Sequence, residues 1–574
     1  MESLLSIEQL DIAFQSEGIV HSAVENITLH VNRGELVAVV GESGSGKSVT
    51  SLSVLQLLPK DTTIYANGKI SLSDSNGGFT DLLRAGEAAM QQIRGNRVSM
   101  IFQEPMSSLN PVITCGKQVM EAILQHRKMT VAEAKAQTIT LFETVKLPDP
   151  SAIFDRFPHQ ISGGQKQRVM IAMAISCKPD LLICDEPTTA LDVTVQKTIL
   201  ELIKQLQLTE NIGVIFITHD LSVVGQIADR IVVMYKGKMV EQGFAKEVFL
   251  QPQHPYTKAL LACRPALQPK GTKLPVVSDF MEVKNGEVIA KNFEKPVTDQ
   301  TPISPLRTTG EPILSVRNLN VWYPDKRNFL GKTTSFFKAV TDVSFDVFPG
   351  ETLGLVGESG CGKTTLGRCL LQLLPATSGS IFYHGKNIIG LGKNELQILR
   401  QEMQIIFQDP FGSLNPRITV GDAIAEPLKV HGLLNAKQRK EKVITWLEKV
   451  NLNAGHYNRY PHEFSGGQRQ RIVIARALIM NPKFVVCDES VSALDVSVQA
   501  QVLNLLNELK KEMGFTAIFI SHDLGVVNYI SDRIMVMQKG RIEEIGLAED
   551  VYYHPQSAYT KQLIAAIPKG FTGG

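Results

Sequence analysis

Cysteine is scarce and unpatterned in this chain: seven occur among 574 residues, at positions 115, 177, 184, 263, 361, 369 and 487. The number is odd and no two stand as C-x-x-C, which argues against a zinc module or a disulfide framework and for reduced thiols. Charge of one sign is lacking too. Fifty-nine Lys and Arg meet 57 Asp and Glu, a net +2, so the basic excess of a nucleic-acid binder is absent. No apolar run nears the roughly 18–20 residues that cross a bilayer. The most apolar pieces, Val214 to Ile217 and Ala517 to Ile520, are the size of strands. The opening residues Met1 to Leu5 carry neither the basic start nor the apolar core of a secretory signal. A soluble protein of several compact units is expected.

What the chain does contain, it contains twice. GESGSGKS at 41–48 returns as GESGCGKT at 357–364. SGGQ at 162–165 returns at 465–468, Asp185-Glu186 as Asp488-Glu489, and His219-Asp220 as His522-Asp523. From SGGQ onward the two copies stay 303 residues apart, down to Tyr256-Thr257 and Tyr559-Thr560. Upstream, Lys47 and Lys363 differ by 316 and Gln103 and Gln408 by 305. The first copy thus has an 11-residue surplus between those points, which the polar stretch at 73–78 is expected to hold. The organisation read from this is one domain over 1–264, a linker over 265–311 and a second domain over 312–574. Within the linker, Val276 to Glu287 is apolar enough to dock on a surface.

In each copy an apolar run (36–40 and 353–356) precedes the glycine-rich turn, and an amphipathic pattern follows it. Strand, loop and helix in that order are the context a G-x-x-x-x-G-K-[S/T] match requires. Gly41, Ser43, Gly44 and Gly46 in one loop, and Gly357, Ser359, Gly360 and Gly362 in the other, let backbone amides converge on phosphate oxygens. Lys47 and Lys363 are expected to hold the β- and γ-phosphates of ATP, and Ser48 and Thr364 to ligate Mg²⁺. The apolar strands 181–184 and 484–487 end in acid pairs, where open α/β sheets bind ligands. Asp185 and Asp488 are placed near Mg²⁺, and Glu186 and Glu489 are placed to polarise the attacking water. SGGQ opens a helical pattern in each half. Its serine can serve simply as a helix cap, or with the glycine amides as an anion site.

Together these motifs resemble the ABC ATPase family over roughly residues 5–262 and 312–565. The resemblance implies two tandem α/β nucleotide-binding domains, each a RecA-like core with a helical subdomain and an antiparallel β subdomain. It implies that Ser162, Gly164 and Gln165 face the nucleotide held by the second half, and Ser465, Gly467 and Gln468 the nucleotide held by the first. Gln103 and Gln408 match the family's Q-loop glutamine, which touches Mg²⁺ or the water. His219 and His522 match its switch histidine, and Asp192 and Asp495 the loop that crosses the domain interface. Phe14 and Tyr323 align with the aromatic that stacks on adenine, although packing into the core suits either as well. One departure is expected to loosen the second site: Pro187 follows the first acid pair and Ser490 the second.

The segments EPMSSLNP (104–111) and DPFGSLNP (409–416), with HPYT at 254–257, are similar to the ATPases of bacterial oligopeptide, dipeptide and nickel importers. The chain resembles the fused ATPases of microcin C/peptide and glutathione uptake systems. That likeness implies two transmembrane permease subunits, a solute-binding protein and a peripheral place on the cytoplasmic face of the inner membrane. Many single-domain relatives carry a cysteine cluster for an iron–sulfur centre after His-Pro-Tyr; only Cys263 stands there, so none is expected. A tandem ABC protein acting on ribosomes or DNA is the alternative. It lacks support here, because a long charged helical linker would be expected where this one is Pro- and Thr-containing and mixed, and the sequence has no C-x-x-C module. A non-catalytic scaffold is disfavoured by the intact Glu186, Glu489, His219 and His522.

Overall fold

A computed structural model of the chain describes residues 3–16, 18–74, 78–104, 108–189, 191–284, 287–291, 310–327, 333–492 and 494–567. Short apolar strands set its architecture. In the first half six of them form one sheet in the order Lys238–Phe244, Arg230–Tyr235, Leu36–Val40, Gly213–Thr218, Leu181–Asp185, Val98–Ile101. The second half repeats this order with Arg541–Leu547, Arg533–Gln538, Thr352–Val356, Thr516–Ile520, Phe484–Asp488, Met403–Ile406. All neighbours are parallel except the pair at the Lys238–Phe244 or Arg541–Leu547 edge.

These strands are apolar without alternation because both faces are covered. Val37, Val39, Leu181, Ile183, Ile215 and Ile217 point into a core shared with an antiparallel sheet. Leu36, Leu182, Cys184, Val214 and Phe216 point the other way, into a core shared with helices. The antiparallel sheet is Ile19–Asn32, Ser3–Ser16, Thr63–Ser73, Phe79–Asp81 in the first half. In the second it is Thr333–Val347, Leu314–Arg327, Ser378–Tyr383, Lys386–Asn387. A helical lobe completes each half: Cys115–His126, Val131–Thr144 and Gly163–Ile175, matched by Val420–Val430, Ala436–Lys449 and Gly466–Leu478. Reciprocal side-chain caps start several of them, such as Thr130 with Glu133 and Asn435 with Gln438. The α/β class and the three-part domain agree with the sequence reading. Among the described residues no helix is long and apolar enough to cross a membrane.

The surplus of the first half is split. Leu82 N–H bonds Ile70 O, as Ile388 N–H bonds Ile381 O, so the two pairs correspond. By this correspondence about half of the extra residues lengthen the chain between Leu55 and Ile70, where Thr63–Ser73 replaces the shorter Ser378–Tyr383. Nearly all of the rest lie between Ile70 and Leu82, around the 73–78 stretch, of which 75–77 lie outside the described residues; one lies between Leu82 and Gln103.

The chain between the two domains is structured at its start. Cys263 and Leu274 are buried in the core of the second half. Leu274 donates from N–H to Asn504 Oδ1 and accepts from Asn504 Nδ2, both at 2.9 Å. Tyr529 donates to Thr272 O at 2.7 Å, and Lys270 pairs with Asp532 at 3.1 Å. Farther on, Met281 joins the core of the first half, carried on a hairpin of Met281–Lys284 with Glu287–Ala290. Residues 263–284 with 287–291 therefore bridge both halves; 285–286 and 292–309, parts of the expected linker, lie outside the described residues.

Candidate functional site

The buried strand Leu36–Val40 runs into Gly41, where a Cβ would stand 2.2 Å from Met234 O, so the turn admits no side chain. Gly46, at φ +98, then turns the chain into the helix Lys47–Val54. Lys47 Nζ donates to Gly41 O at 2.7 Å and Glu42 O at 2.8 Å. Lys363 bonds Gly357 O and Glu358 O in the same way, at 2.8 and 2.9 Å. Burial lowers the Lys47 ammonium below its ordinary value, against the pull of Glu186, Asp495, Asp185 and Glu42. Ser48 Oγ donates to Asp185 Oδ1 at 3.0 Å, and Thr364 Oγ1 to Asp488 Oδ1 at 2.8 Å. Burial raises both aspartates. A hydroxyl beside a carboxylate is a hard-oxygen donor set. Asp488 Oδ2 fits such a use: it is buried without a hydrogen-bond partner, with only Arg368 Nε at 3.9 Å.

Glu186 and Glu489 follow these aspartates at the sheet's end with left-handed backbones, φ 45 and 48. That is a strained conformation for a residue with a side chain, of the kind that clusters at functional sites. Each is pinned by an N–H bond of 3.0 Å, to Ile217 O and Ile520 O. Three donors meet at Glu186 Oε2: Gln103 Nε2 at 3.0 Å, Thr189 Oγ1 at 3.0 Å and His219 Nδ1 at 3.3 Å. At Glu489 Oε2 there are two, Gln408 Nε2 at 3.0 Å and His522 Nδ1 at 3.5 Å. Ser492 takes the place of Thr189, and its hydroxyl is buried and unpartnered. Burial opposes ionisation of Glu186, but His219, Thr189 and Lys47 outweigh it and bring the carboxyl down to about 2. Glu489 is also lowered, by His522 and Lys363 against burial. Burial lowers His219 and Glu186 more than restores it, so the imidazole sits above its usual value. Replacing Pro187 by Ser490 leaves the glutamate backbone as it was; the two sites differ at Thr189 and Ser492 instead.

The halves meet head to tail across these loops. Asp495 accepts from Ser43 N–H and Ser43 Oγ, each at 3.1 Å, and Ser497 Oγ donates to Glu42. In the other seam Asp192 reaches Ser359 N–H at 3.4 Å, and Thr194 Oγ1 donates to Glu358 at 2.9 Å. Burial and the nearby Asp495 push the Glu42 carboxyl up to about 7. His219 and His522 line one cavity between the halves, with Asp220 and Asp523 beside them.

Ser162 and Ser465 are exposed, and each hydroxyl caps its own helix by accepting from Gln165 or Gln468 N–H. Among the described residues no hydrogen bond joins either serine to the opposite phosphate loop. Gly164 and Gly467 instead lie against Val195 and Val498, on the helices that begin with the crossing loops. Phe14 packs against the core between the sheets, while Tyr323 is exposed opposite Phe337. The sequence reading missed Thr189, Glu42, Glu358, Thr194, Ser497 and the role of Tyr256 and Tyr559. The repeat itself marked most of them, since Thr194 and Ser497 keep the 303-residue spacing and Glu42 and Glu358 the 316.

Comparison with known proteins gives two matches to a family model described as ABC transporter, over residues 24–189 and 340–492. A second model, described as Oligopeptide/dipeptide transporter, C-terminal region, matches 240–282. The Glutathione import ATP-binding protein GsiA of Pectobacterium atrosepticum is 47% identical over 566 residues, covering 98% of this chain and 89% of that protein. The protein of the same name from Escherichia coli (strain K12) is 48% identical over 567 residues, covering 99% and 90%.

Proposed function

Since the chain belongs to the ABC transporter family of ATP-binding proteins, we propose that it is the ATP-hydrolysing subunit of a bacterial importer for peptides or related small solutes. The cargo class follows from its matched C-terminal element and its glutathione-import relatives. In this reading two transmembrane permease subunits and a solute-binding protein are its partners. The chain then sits peripherally on the cytoplasmic face of the inner membrane, held by the permease. The domains are 1–264 and 312–574, joined by 265–311, whose first part acts as a strap. No iron–sulfur centre is assigned, because Cys263 is the one cysteine in 240–282 and burial pushes its thiol up to about 12.

ATP is the substrate at two composite sites. The amides of Gly41, Ser43, Gly44 and Gly46, with Lys47, cradle one triphosphate, and Gly357, Ser359, Gly360, Gly362 and Lys363 the other. Phe14 and Tyr323 are the assigned adenine contacts. Ser48, Gln103 and Asp185 hold Mg²⁺ in the first site, and Thr364, Gln408 and Asp488 in the second. When bound, that ion neutralises charge on the β- and γ-phosphates. Glu186 and Glu489 orient and deprotonate water, Gln103 and Gln408 fix the carboxylate, and His219 and His522 pass from the glutamate to the γ-phosphate. Ser465, Gly467 and Gln468 complete the first site; Ser162, Gly164 and Gln165 the second. For them to do so the seam must tighten beyond the present contacts. ATP that binds the tightened form better shifts the equilibrium toward it, and Asp192 and Asp495 report that closure to the opposite loop.

The observation that carries this reading is the convergence of Gln103, Thr189 and His219 on one oxygen of Glu186, beside a phosphate loop. Glu186→Gln with Glu489→Gln should cut turnover at least about 100-fold while ATP still binds. Purified double variant hydrolysing ATP at the wild-type rate defeats the assignment. Affinity capture of the tagged chain should bring down two multi-span membrane proteins; ribosomes or DNA in their place would reverse the choice of partner.

A further inference from the structure

Tyr256 is wholly buried, and its hydroxyl oxygen accepts the backbone N–H of Glu42, second residue of the first phosphate loop, at 3.0 Å. Tyr559 accepts from Glu358 N–H in the second loop at 3.1 Å. The helices that carry the two tyrosines, Pro255–Ala262 and Ala558–Ala566, begin with different caps. His254 Nδ1 accepts from Tyr256 N–H, and Ser557 Oγ from Tyr559 N–H, each at 3.2 Å. Both helix starts are moored to the last strand of the sheet. Glu241 accepts from Gln253 and His254 N–H at 2.7 and 3.0 Å, and Glu544 from Gln556 and Ser557 N–H at 2.8 and 3.1 Å. The cap differs between the copies, while the mooring glutamate, the tyrosine and the bond to the loop recur.

The same two loop residues are gripped from the other side by the opposite half. Ser497, at the start of the helix Val496–Met513, donates to the Glu42 carboxylate, and that helix packs against Pro255–Ala262. Likewise Thr194, on Val193–Glu210, donates to Glu358, and that helix packs against Ala558–Ala566. Each phosphate loop therefore lies between a tyrosine of its own half and a helix tip of the other.

We propose that Tyr256 and Tyr559 are positioning residues for nucleotide binding, fixing the entry of each phosphate loop so that its amides point inward together. This rests on the reading of 41–48 and 357–364 as the ATP phosphate loops. A phosphate cradle works by the convergence of several N–H groups. A loop whose half-buried Glu42 or Glu358 N–H has lost its acceptor shifts to find another, and the cradle spreads. The glutamate and water stay where they are, so affinity should suffer and the chemical step should not.

Tyr256→Phe with Tyr559→Phe removes only the two acceptor oxygens and keeps both rings. In the full-length protein we expect KM for ATP to rise about fivefold, with kcat within about twofold. Either single substitution, measured alongside, should give an intermediate rise. Tyr235→Phe is the packing control, since that ring lies 4.5 Å from Tyr256; it should leave KM unchanged. Lys47→Ala with Lys363→Ala, read by the shift in Tm that ATP produces, tests the loops themselves. If KM of the double Phe variant stays within about twofold of wild type while the lysine variant loses ATP, the brace is refuted and the loops stand. An equal rise in Tyr235→Phe refutes it as well, as would a fall in kcat at unchanged KM. If the lysine variant keeps its full ATP response, the reading of the loops falls, and the brace with it.

Discussion

The two composite sites are built from the same parts but held with different firmness. At the first, Glu186 takes three donors on one oxygen, and the opposing Asp495 grips Ser43 through both its backbone and its hydroxyl. At the second, Glu489 takes two donors, and Asp192 reaches Ser359 with a single long bond of 3.4 Å. The cause is local competition. Asp192 spends its other oxygen on its own helix, accepting from Val195 N–H at 2.9 Å, whereas Asp495 makes no such cap. An aspartate that caps its own helix has less to offer across an interface. Duplicated sequence thus does not guarantee duplicated geometry.

Breaking the seam contacts should show this most strongly. Asp495→Ala is expected to lower ATP turnover about tenfold with Tm nearly unchanged, since it removes two bonds to Ser43 and no cap. Asp192→Ala should behave the other way: turnover falls about twofold, and loss of the cap costs about 1 kcal/mol, or roughly 2–4 °C in Tm. Matching losses from the two variants in paired ATPase and melting assays would erase the asymmetry.

A smaller effect should appear in the pH dependence of stability. The Glu186 carboxyl lies below its unfolded value, so its contribution is present above about pH 4.5 and is lost as pH falls toward 2. His219 lies above its ordinary value, so its contribution is present below about pH 6.5 and is lost as pH rises through its folded pKa. The pair is therefore strongest between those limits. His219→Gln should flatten the fall in Tm as pH rises above about 6.5. An unchanged fall in the variant would show that the contact of His219 with Glu186 contributes nothing to it.

The smallest test exchanges the third donor. Thr189→Val should reduce turnover about two- to threefold. The conservative Ser492→Thr, offering Glu489 a better-placed hydroxyl, should raise it by less. A gain from Thr189→Val would mean that the extra bond restrains the base instead of aiming it.

Much of this was legible in the sequence, because a phosphate loop, an acid pair and a helix cap are local patterns of glycine, apolar strand and side-chain oxygen. What escaped was set by tertiary contact. Nothing near Glu42 announces that Ser497 will reach it from 455 positions away. Leu274 and Asn504 clasp each other across 230. The apolar count of 276–287 correctly singled out a segment with docking surface, yet the firmest anchoring precedes it, through backbone bonds that composition does not register. Nor does the SGGQ pattern tell how far apart the lobes stand: its serines cap their own helices and are exposed. Gly164 and Gly467 lie against the helices that carry the seam.

The clasp at Leu274 has a kinetic meaning. Two lobes joined only by a long slack chain would search a large volume before meeting. Anchoring residue 274 to the second lobe leaves about ten residues between it and the last helix of the first, so encounter of the lobes is an intramolecular event at high effective concentration. Re-forming the seam after each round of hydrolysis then depends little on how many copies of the protein the cell contains.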